Sequence, residues 1–407
     1  MKDLSLILYQ FILRLYHWAV LIAAKTGNIK AKALLDHRKL EIISPSHQAV
    51  VWIHAASAGE GNQAIPIAET LKKKMNCWIV VSFFSPSGFN FHKSTNQFDQ
   101  VILLPADSKK NANILIQKLN PKIAIFVYKE FWYNYLNALH QKNIPTYLVN
   151  TSPTVLSGNH YLLKYFDRKC LQLFTKTYWT SLPDKKLSKD LSISKITGNS
   201  KFESSFHSHS FIELKKIEAF TKDHFTIILG SSWPKEEAFF KAWLHSLNDP
   251  SFRVIIAPHD ISSARIKDVQ AQFKNSVLYS QFTNPTNHQL MILDEIGLLR
   301  HAYHYADLAI VGGGFGKGIH NILEAVTFKL PTFFGPNFEK FEEAVDLLGK
   351  QLAFSFSNQA EFNSLMNDWV LADEKINTLK TQLAKYIDEH SSIAQKIVEE
   401  IIKDSLN

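Results

Sequence analysis

The feature that most constrains this chain of 407 residues is an alternation. Short apolar runs recur, separated by stretches with helical spacing. From Gln48 onward, AVVWIHA, CWIVVSF, VILLP, KIAIFVY and PTYLVN read as buried strands. NQAIPIAETLKKK and SKKNANILIQKLN, between them, read as helices. A strand that is apolar throughout must be covered on both faces, so repeated strand–helix units predict a parallel sheet with helices on either side. The rhythm weakens across Asp184–Thr221, which is rich in Ser and Lys, and restarts with FTIILGSS, FRVIIAP, LMILD, DLAIVGG and PTFFG. Two doubly wound domains with a boundary near residues 200–222 are therefore expected, as the length also suggests. Facing each other, they would leave a cleft, with ligands beyond the carboxyl ends of the strands. The tail from about Asn358 reads as mostly helical and could cross back to brace the first domain.

Leu4–Ala24 is apolar and about long enough to span a bilayer. Gln10, Arg14 and His17 form one polar stripe along it, and Leu4, Leu8, Phe11, Leu15, Trp18 and Ile22 the opposite face. Arg14 at mid-membrane would cost roughly 2.5–3.5 kcal/mol. Lys25, Lys30, Lys32, Arg38 and Lys39 follow. The pattern suits a helix lying in a membrane interface or a weak anchor, with packing on the protein's own core as the alternative. It makes a poor signal peptide. A formal net charge of +8 favours anionic partners: nucleic acid, phosphorylated small molecules or an anionic membrane face. Cys77 and Cys170 lie far apart, without zinc spacing, and read as buried free thiols.

Four strand ends carry chemistry. In VWIHAASAGEGNQAIP the strand ends near His54, a helix is expected near Asn62, and Glu60 stands between Gly59 and Gly61. Such a carboxylate can act as a general base toward an alcohol, or merely complement a helix dipole. In DLAIVGGGFGKGIHNILEA the glycines around Gly313 and the cation Lys317 suit phosphate, with a helix expected from about Ile319 and Glu324 a turn inside it. A glycine turn packing helix on strand is the alternative. In ILGSSWPKEE, Ser231 and Ser232 precede a helix opening at Pro234, as phosphate ligands or as a plain cap. In VYKEFWYNYL, Glu130 directly follows a strand.

The motifs HAASAGEGNQAIPIAETL, SFFSPSGF, EFWYN, ITGNSKFE, GSSWPKEE, DEIG, HNILEA and LPTFFGP, in this order across about residues 1–350, resemble the 3-deoxy-D-manno-octulosonic acid (Kdo) transferases of lipopolysaccharide assembly. The resemblance implies a GT-B fold: two Rossmann-like domains facing a cleft, with an N-terminal amphipathic helix. The expected divisions are residues 1–40, a membrane-associating helix region; 41–205, an acceptor domain; 223–385, a nucleotide-sugar domain; and 386–407, a C-terminal helix. It implies inverting transfer of Kdo from CMP-Kdo to a lipid A precursor at the cytoplasmic face of the inner membrane. No metal, other cofactor or nucleic acid is implied. The family's general base falls on Glu60 and its second acid on Glu130. Its N-x-x-E nucleotide motif falls on Asn321, Ile322, Leu323 and Glu324, with His320 beside it. The family's P-R pair falls on Pro258 and His259, so its arginine is missing; its M-G-E falls on Ile296, Gly297 and Leu298, so its glutamate is missing. The family's arginines after the strand in LVNTSPTVLSGNH are also absent. These departures leave a GT-B enzyme with another nucleotide sugar, or a catalytically silent membrane scaffold, as rival readings.

Overall fold

The computed structural model describes residues 4–28, 31–32, 48–95, 97–153, 161–181, 194–203, 212–247, 252–283 and 287–406. Lys30, Arg38, Lys39 and the later part of the LVNTSPTVLSGNH loop lie outside them. The chain divides into two compact units, Met1–His207 with His390–Asn407, and Ser208–Glu389.

The first unit runs α1 (Leu4–Lys25), β1 (Ala49–Ala55), α2 (Ala58–Lys74), β2 (Cys77–Phe83), α3 (Pro86–Lys93), β3 (Gln100–Leu103), α4 (Lys109–Leu119), β4 (Ile123–Val127), α5 (Tyr133–Gln141), β5 (Thr146–Thr151), α6 (Tyr161–Leu171), β6 (Lys176–Trp179) and β7 (Ser194–Ile196). The strands form one sheet ordered β3-β2-β1-β4-β5-β6-β7, every pairing parallel. Because side chains alternate along a strand, the unbroken apolar run of β1 feeds two cores. Val51, Ile53 and Ala55 join the core under α2, whereas Val50 and Trp52 join the one under α4 and α5. Ser57, Ser85 and Ser108 cap α2, α3 and α4, each hydroxyl accepting a backbone N–H three residues on.

The second unit runs α7 (Lys215–Thr221), β8 (Phe225–Ser232), α8 (Pro234–Ser246), β9 (Phe252–Pro258), α9 (Ser263–Gln272), β10 (Ser276–Leu278), β11 (Leu290–Ile292), α10 (Leu299–Ala302), β12 (Leu308–Val311), α11 (Leu323–Thr327), β13 (Thr332–Phe334), α12 (Glu342–Gly349), β14 (Phe354–Ser355), α13 (Gln359–Trp369) and α14 (Asp373–His390). Its sheet is ordered β10-β11-β9-β8-β12-β13-β14 and is parallel throughout.

A last helix, α15 (Ile393–Leu406), belongs to the first unit. Ile393, Ile397, Val398 and Ile401 are buried in the core that β1 and α2 share. The Glu203 carboxylate accepts the Ala394 N–H at 3.0 Å, at the helix's first turn, where a negative charge is favoured.

Candidate active site

In each sheet the first strand lies between strands whose connections run to opposite sides: β1 beside β4, and β8 beside β12. Open α/β sheets bind ligands at the carboxyl edge of that switch point. Glu60 follows β1 and Glu130 follows β4. Ser231 and Ser232 end β8, and the glycine loop follows β12.

Helix α2 begins at Ala58, four residues before the expected Asn62. Ser57 explains the difference: its hydroxyl accepts the Glu60 N–H at 3.4 Å, and Glu60 Oε2 accepts the Ala56 N–H at 2.5 Å. This approximates a capping box, so Glu60 sits in the first helical turn, not in a loop. A Cβ on Gly61 would lie 2.4 Å from His92 Nε2 and 2.7 Å from the Phe83 ring, so this glycine serves the packing of α2 on α3 and not the approach of a ligand. Gly59 is different, for a Cβ there would meet nothing closer than Ser57 Oγ at 4.0 Å. Burial, and then the charge of Glu130, push the Glu60 carboxyl up to about 7.

Glu130 is held by a chain of buried polar groups. Trp52 Nε1 can only donate, and it gives its proton to Ser82 Oγ at 2.8 Å. Ser82 then has one proton for His54 Nδ1, also at 2.8 Å. His54 Nε2–H donates in turn to Glu130 Oε2 at 3.2 Å. With the proton instead on Nδ1, toward the Ser82 carbonyl at 3.0 Å, a neutral ring would turn a bare Nε2 on the carboxylate. Trp132 Nε1 donates to the same Glu130 oxygen. Two donors on one oxygen fix the orientation of the carboxylate. Sequence reasoning missed His54. Its one signal was a histidine ending a strand of otherwise apolar residues.

In the second unit several expected phosphate ligands are committed elsewhere. The Gly313 N–H donates to Glu236 Oε1 at 2.8 Å, and Gly312 and Gly316 donate to the carbonyls of Gly230 and Gly313. Thus the protein's own carboxylate occupies the amides around Gly313. The buried Ser232 hydroxyl donates to Glu237 at 2.7 Å, and Glu237 also pairs with Arg265. Ser231 holds a left-handed φ of 50°, a conformation L side chains rarely take. The expected helix from Ile319 starts only at Leu323, because the Asn321 side chain accepts the Leu323 N–H at 3.2 Å. Glu324 is therefore in the first turn of a short helix. Burial pushes its carboxyl up, while Arg300 and then Asn321 pull it back.

What remains open beside the loop is a ring stack. His259 and His320 lie 4.3 Å apart between centroids, and Trp233 stacks on His259 at 4.9 Å. Trp233 Nε1 donates to His320 Nε2 at 3.0 Å, which places the His320 proton on Nδ1. Lys317 is exposed on the loop. Pro258 is buried at the end of β9, Ile296 is exposed, Leu298 is half-buried, and Gly297 turns with a φ of 88°. Among the described residues no three His, Cys, Asp or Glu side chains form a metal-ligand group.

Two parallel seven-stranded sheets, each with its switch point at the first strand, give the GT-B fold. A glycosyltransferase structure from Rickettsia africae matches over 88% of this chain and 99% of that one, at a TM-score of 0.59 and 14% identity. Residues 30–204 match the family model of 3-deoxy-D-manno-octulosonic-acid transferase (kdotransferase). The Aquifex aeolicus 3-deoxy-D-manno-octulosonic acid transferase is 27% identical over 339 residues, which is 81% of this chain and 88% of the relative. A bifunctional glycosyltransferase/methyltransferase of Fusobacterium nucleatum is 27% identical over 393 residues, and this chain spans 60% of that relative's length. Over this span and these relatives the chain is similar to the 3-deoxy-D-manno-octulosonic acid transferases.

Proposed function

We propose that this chain transfers Kdo from CMP-Kdo to a lipid A precursor, with inversion and without a metal, at the cytoplasmic face of the inner membrane. The observation that carries the reading is the Glu60–Glu130 pair at the β1/β4 switch point, with Glu60 held near neutrality. An acid with a value near the working pH is the most effective general base. Glu60 takes the proton of the acceptor hydroxyl as its oxygen bonds to the anomeric carbon of Kdo. The bond from that carbon to the CMP phosphate breaks, and its electron pair leaves with CMP. Glu130 raises the proton affinity of Glu60 through its fixed charge and touches no reacting bond. On the donor side Lys317, His259 and His320 meet the phosphate, and Asn321 and Glu324 the ribose.

Incubation of the chain with CMP-Kdo and a lipid A precursor, read by mass spectrometry, should give products heavier by one or more Kdo units. Release of CMP with no such product, or turnover only with another nucleotide sugar, would refute the reading. The pH profile tests the pairing separately. Because the base must be deprotonated, kcat/KM should fall below about pH 7. Glu130→Gln removes a like charge, so the acid limb should move to lower pH; an unmoved limb would deny the coupling.

A further inference from the structure

The end of β1 serves both carboxylates. His54 Nε2 lies 3.2 Å from Glu130 Oε2, and two residues on the Ala56 N–H donates to Glu60 Oε2 at 2.5 Å. One short piece of backbone therefore ties the two acids together. His54 shares the face of β1 that carries Val50 and Trp52, and it is fully buried, as are Trp52 and Ser82. An apolar side chain would fill this face without burying two ring nitrogens. A core histidine that is merely satisfied needs some partner for each nitrogen. Here every partner also restricts the ring.

Ser82 presents both its hydroxyl, at 2.8 Å, and its carbonyl, at 3.0 Å, to His54 Nδ1. Trp52 Nε1 donates to the Ser82 hydroxyl oxygen, which leaves the hydroxyl proton for Nδ1. The Phe126 and Trp132 rings meet His54 edge-on, at 5.7 and 6.0 Å between centroids. A turn of the ring would break one of these contacts, so its Nε2–H stays aimed at Glu130. The other titratable groups nearby are engaged elsewhere. Lys129, next to Glu130 in sequence, sends its ammonium to Asp167 at 3.1 Å. His92 of α3 has its Nε2 at 3.2 Å from the Ala58 carbonyl, and burial holds its ring toward the neutral form. The Glu60 carboxyl is raised by burial and then by the charge of Glu130. What fixes Glu130 thus also sets how strongly Glu60 holds a proton.

We propose that His54 is a positioning residue for this carboxylate pair: it touches no reacting atom, and its Nε2–H fixes where Glu130 stands beside Glu60. Without that donor Glu130 turns its charge toward water or takes up the proton itself, and either change relieves Glu60. That the pair acts on an acceptor hydroxyl rests on the function proposed above; the role of His54 rests on the hydrogen-bond geometry.

The test uses the full chain and its variants at His54 and Ser82. His54→Phe keeps a ring and removes both nitrogens. His54→Gln keeps an N–H donor on a side chain of similar reach. Ser82→Ala leaves only the carbonyl at Nδ1, which draws the ring proton there and turns a bare Nε2 on Glu130. The proton on Glu60 is read from denaturant unfolding across pH, as the difference between each background and the same background carrying Glu60→Gln. In the unaltered chain that difference should develop between pH 4.5 and about 7. His54→Phe and Ser82→Ala should lower the upper end by roughly one pH unit, the scale of a neighbouring like charge, and His54→Gln should restore most of it. A packing role alone would change overall stability and leave the window in place. A window that is unmoved or moved upward in His54→Phe and Ser82→Ala overturns the proposal. Where His54→Phe fails to fold, Ser82→Ala decides. In ¹⁵N NMR of the unaltered chain His54 Nε2 should carry the proton and Nδ1 accept; the reverse tautomer also overturns it.

Kdo transfer is then measured on the same variants. The acid limb of kcat/KM should move with the window, and the KM for CMP-Kdo should stay unchanged. If the window moves but the unaltered chain transfers no Kdo, the transferase reading fails and the positioning role stands. If Kdo is transferred and the window does not move, the positioning role fails and the transferase reading stands.

Discussion

Replacing Glu60 by Gln should slow Kdo transfer by about 10²–10⁴-fold, the usual contribution of a positioned general base. Gln keeps the acceptor oxygen for the Ala56 N–H and loses only the ability to take a proton. Donor binding should be untouched, since the candidate nucleotide ligands all lie in the second unit. The same variant should gain stability, and the sign follows from the raised carboxyl. Between the ordinary 4.5 and about 7 the folded chain holds a proton that the unfolded chain has released. Folding is therefore disfavoured as pH rises through that window, by roughly 2–3 kcal/mol once both values are passed. Glu60→Gln should raise the stability of the first unit at pH 8 and do nothing of this kind at pH 4. Denaturant unfolding at the two pH values reads it directly. Near-normal transfer would refute the base assignment, and a pH-independent difference in stability would refute the raised carboxyl.

The second large effect concerns α15. Deleting residues 391–407 removes Ile393, Ile397, Val398 and Ile401 from a buried core. At roughly 1.5–3 kcal/mol for each buried side chain the gross loss is about 6–12 kcal/mol, comparable with the net stability of a whole domain. The ion pairs of α15, such as Lys74–Glu399 and Lys176–Asp404, lie near the surface and add little. The truncated first unit should be unfolded or aggregated, while the second unit keeps its own calorimetric transition. Two intact transitions would show that the helix is dispensable.

How legible these features were depends on how local their causes are. The strands were plain because each must feed two cores, which forces apolar residues at every position of runs such as VVWI. The start of α2 carried its own signal, since Ser57 and Glu60 have capping-box spacing. Two glycines, poor helix formers, hid it. The candidate pair was half legible. Both acids could be seen at strand ends, but their neighbourhood depends on β1 lying next to β4, a matter of topology. The donors to Glu130 are Trp132, two positions away, and His54, 76 positions away, with Ser82 and Trp52 behind His54; no local pattern announces that longer chain. The same holds for Gly313, whose N–H is taken by a residue 77 positions away.

That last contact has a consequence for recognition. A glycine turn of this kind is commonly ordered by the phosphate it meets. Here Glu236 supplies the acceptor from within, so this contact of the turn forms when the chain folds. On the function proposed above, a nucleotide meeting this loop would spend less of its affinity on setting it, because a preorganised surface has already lost that conformational freedom.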